Sequence, residues 1–254
     1  MTTARILVVQ NDPTDDARRL GDWLAGAGAE LVTVRPFAGD ELPADLAGYG
    51  GFVVLGGEQD AFDAPDGTPA EPWFPALKEL LRASVREALP TLGVCLGGQL
   101  LADACGGRVA RGTNGPEIGA GLVAKRDVAE KDPLFGPVAF TPDVLQWHED
   151  EISVLPPGAV LLAASVRCPH QAFRLGAKAW GLQFHIECDT AMIAGWAANS
   201  TGRLAELGLD PETMVARCDA AMDDVEDVWR PFAERFVAVV EGRAGSTYLP
   251  VIEA

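Results

Sequence analysis

LGVCLGGQLLADACGG, residues 92–107, joins an apolar run that starts at Leu89 to a helix-like run from Leu96 to Cys105. Between the two lies Gly93-Val94-Cys95-Leu96-Gly97, a G-x-C-x-G pattern. A strand that meets a helix through so sharp a turn needs small neighbours, because the turning residue takes up a strained backbone conformation. That is how a nucleophile elbow is built, here with cysteine as the turning residue. The turn lifts the sulfur above the carboxyl end of a sheet and sets it at a helix N-terminus, where unpaired N–H groups and the helix dipole favour thiolate. Read alone, the stretch fits a small buried Cys at a Gly-rich turn equally well.

The segments on either side agree with a sheet. RILVVQ, residues 5–10, is a continuous apolar strand of the kind buried on both faces in parallel sheets. Asn11-Asp12-Pro13-Thr14 reads as a turn with capping chemistry, after which Leu20, Trp23 and Leu24 share one face of a first helix that ends near Gly26–Gly28. Leu31–Val34 and Phe52–Leu55 read as further strands, the second running into Gly56-Gly57. Residues 58–72 are a Pro/Asp/Gly-rich surface loop, and Trp73, Leu77, Leu80, Leu81 and Val85 have amphipathic helical spacing. This alternation predicts an α/β fold, an open and mostly parallel sheet with helices on both faces. Ligands of such sheets bind beyond the carboxyl ends of the strands, where Gly56-Gly57 and Cys95 both fall. From Arg108 to Ala177, short alternating runs between Gly and Pro predict an antiparallel extension of the sheet. Ala179–His185 is the last core strand and Ala191–Ala198 a helix. Residues 203–242 read as acidic helices. Val225, Val228, Trp229, Phe232, Phe236 and Val239 form an apolar stripe, and Pro231 either opens the last helix or kinks a longer one.

A chain of 254 residues, 48% hydrophobic, can bury a sizeable core. Its five cysteines are odd in number and lack CxxC spacing, which predicts no disulfide framework and a reducing, cytoplasmic setting. No secretory signal or membrane-spanning run is legible. The net charge of −17 disfavours nucleic-acid and anionic-membrane partners. LGGEQDA, residues 55–61, lacks the GK[ST] ending of a phosphate loop. Cys168, His170, His185, Glu187 and Cys188 match no metal-ligand spacing, so neither a metal nor a cofactor is expected.

GVCLGGQLLA, with LGGEQDA, NGPEIG (114–119), QWHED (146–150), CPHQAFRLG (168–176) and GLQFHIE (181–187), resembles the class I (triad) glutamine amidotransferases. The likeness is greatest to small stand-alone proteins similar to the amidotransferase domain of GMP synthase. These matches run in the family's order over roughly residues 5 to 200. The resemblance implies a flavodoxin-like amidotransferase domain over 1–200, with 201–254 as a C-terminal helical extension packed on it. It also implies a Cys-His-Glu triad, Cys95, His185 and Glu187. Spacing agrees for the last two: if the strand continues through Glu187, an i, i+2 pair projects to one side, so the carboxylate orients the imidazole. For the oxyanion hole an elbow uses the N–H after the nucleophile, Leu96, and the resemblance adds Gly57. By resemblance, Gln99 and Asp150 face substrate, and His148 and Gln171 line or support the pocket.

Three positions depart from the family's pattern. Glu58 stands where Pro is preferred, which frees φ and adds charge near the oxyanion site. Glu149 stands where Gly is common, and Ile186 where Pro separates the His from the Glu. The implied activity is hydrolysis of the glutamine side-chain amide through a Cys95 γ-glutamyl thioester, with ammonia going to a separate synthetase or to solvent. Two alternatives stay open: a γ-glutamyl amide or peptide hydrolase with the same triad, and a non-catalytic binding module on this fold.

Overall fold

The computed structural model describes residues 4–243. The end of the expected C-terminal extension, 244–254, lies outside the described residues. Strands β1 (Arg5–Val9), β2 (Glu30–Val34), β3 (Gly51–Val54) and β4 (Thr91–Val94) alternate with helices α1 (Arg18–Gly26) and α2 (Phe74–Arg86). Helix α3 (Leu96–Ala104) leaves β4 directly through Cys95. Short strands follow: β5 (Arg108–Arg111), β6 (Glu117–Leu122), β7 (Ala124–Lys125), β8 (Asp143–His148), β9 (Asp150–Val154), β10 (Val160–Ala164), β11 (Ala172–Leu175) and β12 (Ala179–Leu182). The chain then turns helical in α4 (Thr190–Asn199), α5 (Thr201–Glu206), α6 (Pro211–Ala220) and α7 (Met222–Val240).

The main sheet has eight strands in the order β2-β1-β3-β4-β12-β11-β10-β7. Its first five are parallel, and β11, β10 and β7 continue it antiparallel. Successive residues of one strand enter two different cores. Ile6 and Val8 join Leu92, Trp180 and the residues of α1, α4 and α7, whereas Leu7 and Val9 join Phe52, Leu77, Leu100 and Leu101. Burial on both faces is why these strands read as unbroken apolar runs.

In two places the chain departs from the expected layout. Only β11, β10 and β7 extend the main sheet; β5–β9 and β6–β8 are separate two-stranded ladders. Helix α6 covers the second of these, with Met214 packed on Gly119, whose φ of +97° only glycine adopts without strain. The last core strand stops at Leu182, and His185 forms an isolated bridge to Leu145 of β8 instead. Pro231 lies inside α7, a single helix of 19 residues. Its apolar stripe packs on the sheet through Trp229, Phe232 and Phe236, with edge contacts to Phe135 and Trp180. Among the described residues no helix is long and apolar enough to cross a membrane.

Candidate active site

Cys95 has φ +48° and ψ −110°, a conformation rare for any residue but glycine. Such strain costs about 1–3 kcal/mol and persists only where the surroundings enforce it. Here the enforcement is backbone packing. A Cβ on Gly97 would stand 2.0 Å from the Val54 carbonyl oxygen, one on Gly98 2.6 Å from that of Leu182, and one on Gly93 2.5 Å from that of Gly97. Helix α3 therefore sits directly on β3 and β12. Cys95 is buried at the floor of a cavity, with Gln183 Nε2 3.9 Å from its sulfur.

His185 and Glu187 meet, although not along a strand. The chain bends after Leu182, and the bridge to Leu145 fixes the His185 backbone through N–H donation at 2.8 Å. Nδ1 of His185 then lies 2.6 Å from Glu187 Oε1. The N–H of Ile186 donates to the other oxygen, Oε2, at 2.9 Å. A proline at 186 has no such proton to give. Burial opposes the imidazolium, but Glu187, helped by Cys95 and Cys188, outweighs it and holds His185 well above its ordinary value. His185 Nε2 is buried without a hydrogen-bond partner.

Two further groups grip the imidazole. The Trp196 ring packs on it at 4.8 Å between centroids, tilted by 60°. Trp196 Nε1 also donates to Asp15 Oδ1 at 3.0 Å. Asp15 and His185 converge on Gly56, where a Cβ would stand 2.6 Å from Asp15 Oδ2 and 3.2 Å from His185 Cε1. Burial pushes Asp15 up to about 7; His185 pulls it back, Glu187 and Asp12 push it further, and the Thr14 hydroxyl lowers it. The sequence carries no signal for this, because Asn11–Thr14 reads as a turn with capping chemistry. Instead Asp12 Oδ1 accepts the Thr14 N–H and hydroxyl within the loop, and α1 has no side-chain cap.

Gly57 packs against Leu96, a Cβ there standing 2.9 Å from Leu96 Cδ2, so the two expected oxyanion residues are neighbours. The loop is tied down without the family's proline. Gln59 Nε2 donates to the Asn11 carbonyl at 3.3 Å, Asn11 Nδ2 to the Leu55 carbonyl at 2.9 Å, and Trp73 Nε1 to Asn11 Oδ1 at 3.3 Å. Glu58 is exposed at the cavity rim.

The cavity measures about 540 Å³. Gln99, His148 and Asp150 line it. Gln99 Nε2 donates to the Asp150 carbonyl and to Gln183 Oε1, both at 3.3 Å. Burial raises Asp150 to about 6, Arg111 lowering it and Asp60 and Glu149 raising it. Arg111 Nη1 stands 3.3 Å from Asp150 Oδ1. Glu149 is turned to the rim, where Arg203 of α5 holds both its oxygens.

Of the two residues expected to line or support the pocket, Gln171 supports it from behind. It is fully buried behind the wall, outside the cavity lining, and donates to Glu117 Oε2 at 2.6 Å. That oxygen is 3.3 Å from His148 Nε2, and His148 Nδ1 is 2.9 Å from the Asp150 carbonyl. Gln171 thus reaches the pocket only through Glu117 and His148. His170 is a loop residue bonded to the Ile152 carbonyl. Ligand-capable atoms of Glu117, His148 and Cys168 lie within 4.8 Å of one another, as do those of His185, Glu187 and Cys188. Hydrogen bonds and ion pairs already join the His and Glu of each group, and burial pushes the Cys168 thiol up to about 12.

The same set of elements is found in known proteins. The family model described as glutamine amidotransferase class-I matches residues 28–191. A solved glutamine amidotransferase from Thermotoga maritima superposes with a TM-score of 0.81 at 26% identity, covering 93% of this chain and 99% of its own. The glutamine amidotransferase-like protein YfeJ of Salmonella typhimurium is 28% identical over 205 residues, 80% of this chain and 83% of that one. Gamma-glutamyl peptidase 3 of Arabidopsis thaliana is 30% identical over 152 residues, 59% of each chain. With a family model spanning well over half its length, and the fold of a solved member, the chain belongs to the class-I glutamine amidotransferase family.

Proposed function

We propose that the protein hydrolyses the γ-amide bond of a γ-glutamyl substrate, L-glutamine being the simplest, with Cys95 as nucleophile, His185 as acid and base, and Glu187 as the group that orients the imidazole. The observation that carries this reading is the imidazole itself. Its Nδ1 is bonded to Glu187 at 2.6 Å, and its buried Nε2 is free within the cavity that holds Cys95. Cys95 Sγ attacks the γ-carbonyl carbon while the N–H groups of Leu96 and Gly57 receive the oxyanion. Nε2–H gives its proton to the leaving nitrogen as the C–N bond breaks, leaving a γ-glutamyl thioester. Water then attacks the thioester, His185 takes its proton, and glutamate departs. Gln99 and Asp150 are the polar groups for the substrate's α-amino and α-carboxylate ends.

With glutamine the leaving group is ammonia, which passes to a synthetase partner or to solvent. The cavity of about 540 Å³ has room for a second form of the same reading, a γ-glutamyl compound with a larger leaving amine. Glutamate release from L-glutamine and from a γ-glutamyl amide, measured beside Cys95→Ala, tests the proposal. Turnover that vanishes in the variant is expected. Turnover that survives in it removes Cys95 from the chemistry.

A further inference from the structure

The cavity has two unlike sides, and they begin at different catalytic groups. From the elbow outward it is polar: Gln99 one turn along α3 from Cys95, then Asp150, then Arg111. From His185 outward a run of apolar side chains lines it. Trp196 packs on the imidazole, and Trp147 packs on Trp196 with centroids 5.5 Å apart. Ile118 is the register partner of Trp147 across β6 and β8, so its side chain stands beside that ring. Leu204 of α5 completes the wall, and all four line the cavity.

The chemistry says which side receives which part of the substrate. The γ-glutamyl moiety stays on Cys95 and carries the charged α-groups, so it belongs against the polar side. The nitrogen that leaves must take its proton from His185 Nε2, so whatever that nitrogen bears extends along Trp196 and Trp147. Ammonia, the leaving group of glutamine, touches none of this wall. The charged groups around the cavity narrow the class further. Asp15, Glu58, Asp60, Glu149 and Asp150 outnumber Arg111 and Arg203. Both arginines are already committed, Arg203 to Glu149 and Arg111 to Asp150 and Glu149. A leaving group that carries a carboxylate, as a peptide does, meets this excess of acidic side chains.

Building on the hydrolase reading above, we propose that the Trp196–Trp147–Ile118–Leu204 wall is a leaving-group subsite, and that the preferred substrates are γ-glutamyl amides of apolar or aromatic amines lacking a carboxylate. The reaction balances as before: the Cys95 S–C bond forms, the C–N bond breaks, and the neutral amine departs with the proton from His185. Water then releases glutamate.

Four substrates test this with the full chain: L-glutamine, γ-glutamyl-methylamide, γ-glutamyl-phenethylamide and γ-glutamyl-phenylalanine. The last two share a ring and differ by a carboxylate. The expected kcat/KM for the phenethylamide exceeds that for the methylamide at least tenfold, and that for γ-glutamyl-phenylalanine by a similar factor. Trp147→Ala is expected to lower the phenethylamide-to-methylamide ratio to near one. Ile118→Ala, a smaller change on the same wall, is expected to lower it severalfold if Trp147→Ala fails to fold. A methylamide hydrolysed as well as the phenethylamide overturns the subsite, and a γ-glutamyl-phenylalanine hydrolysed as well overturns the exclusion of carboxylates. In both cases γ-amide hydrolysis itself stands. No glutamate from any of the four overturns the hydrolase reading, and the subsite with it.

Discussion

Cys95 and His185 line one cavity, yet they are held in different ways. Around Cys95 the constraint is main chain: a positive φ, and three glycines with carbonyl oxygens where a Cβ would go. Around His185 it is side chains, Glu187 on Nδ1, the Trp196 ring and, through it, Asp15. Close-packed backbone cannot yield without moving whole elements, whereas side-chain contacts can be exchanged one at a time. Changes on the elbow side should therefore break the fold, and changes on the imidazole side should retune the chemistry of a protein that still folds.

Gly97→Ala is the largest expected effect. Its methyl would meet the Val54 carbonyl oxygen at 2.0 Å, so α3 must lift off β3. We expect a loss of more than about 3 kcal/mol in denaturant unfolding, the range of severe overpacking. Gly195→Ala in α4 is the control, since nothing lies within 4 Å of its added Cβ. It should gain up to about 1 kcal/mol from helix propensity. Equal effects at the two glycines would remove the contrast between the two halves of the site.

Glu187→Gln comes next and acts on rate. The carboxylate is the main group raising His185, so its loss lets burial pull the imidazole down. The amide also no longer selects the tautomer. A fall of about 10²–10⁴-fold in kcat is expected, by analogy with removal of the orienting carboxylate in serine triads. The alkaline limb of the rate profile should move to lower pH. An unchanged limb would show that another group sets the charge on His185.

Asp15→Asn should move stability in the opposite direction. The folded-state value of about 7 is above the ordinary 3.8, so the native protein holds a proton that the unfolded chain has released. Stability is therefore lost as pH rises from about 4 to about 7. The amide abolishes that loss and can still accept from Trp196 Nε1. A gain of about 4 kcal/mol at pH 8, falling to about 1.5 kcal/mol at pH 5, is expected in paired unfolding curves. A gain independent of pH would count against a carboxyl whose charge is penalised by burial.

What the sequence revealed divides along the same line. The elbow was legible because backbone constraints write themselves as glycines at fixed spacing, and the parallel strands because burial on two faces leaves no polar position. The pairing of His185 with Glu187 was legible for an incomplete reason. An extended strand was expected to set it, but β12 ends at Leu182 and a bend with a bridge to Leu145 sets it instead. Asp15, Trp147 and Trp196 left no trace as site residues. They come from the loop after β1, from β8 and from α4, and only the tertiary fold makes them neighbours. Gln171 shows the converse: the motif around it is clear, but its side chain faces Glu117 behind the wall.

The smallest expected effect concerns a backbone donor on the imidazole side. Ile186 is fully buried, and its N–H donates to Glu187 Oε2 while Oε1 serves His185. Proline would lack this proton, so Ile186 adds a donor that fixes the Glu187 carboxylate. Ile186→Pro removes it and leaves both charged partners in place. A hydrogen bond to a charged group contributes about 1.5–3 kcal/mol to stability, and a loosened Glu187 should cost kcat about three- to tenfold. KM should hold, because residue 186 does not line the cavity. The size of the loss relative to Glu187→Gln is the informative quantity. A loss as large as that of Glu187→Gln would mean that the carboxylate is useless unless the Ile186 N–H holds it. No change in kcat would mean that the His185 bond alone orients it.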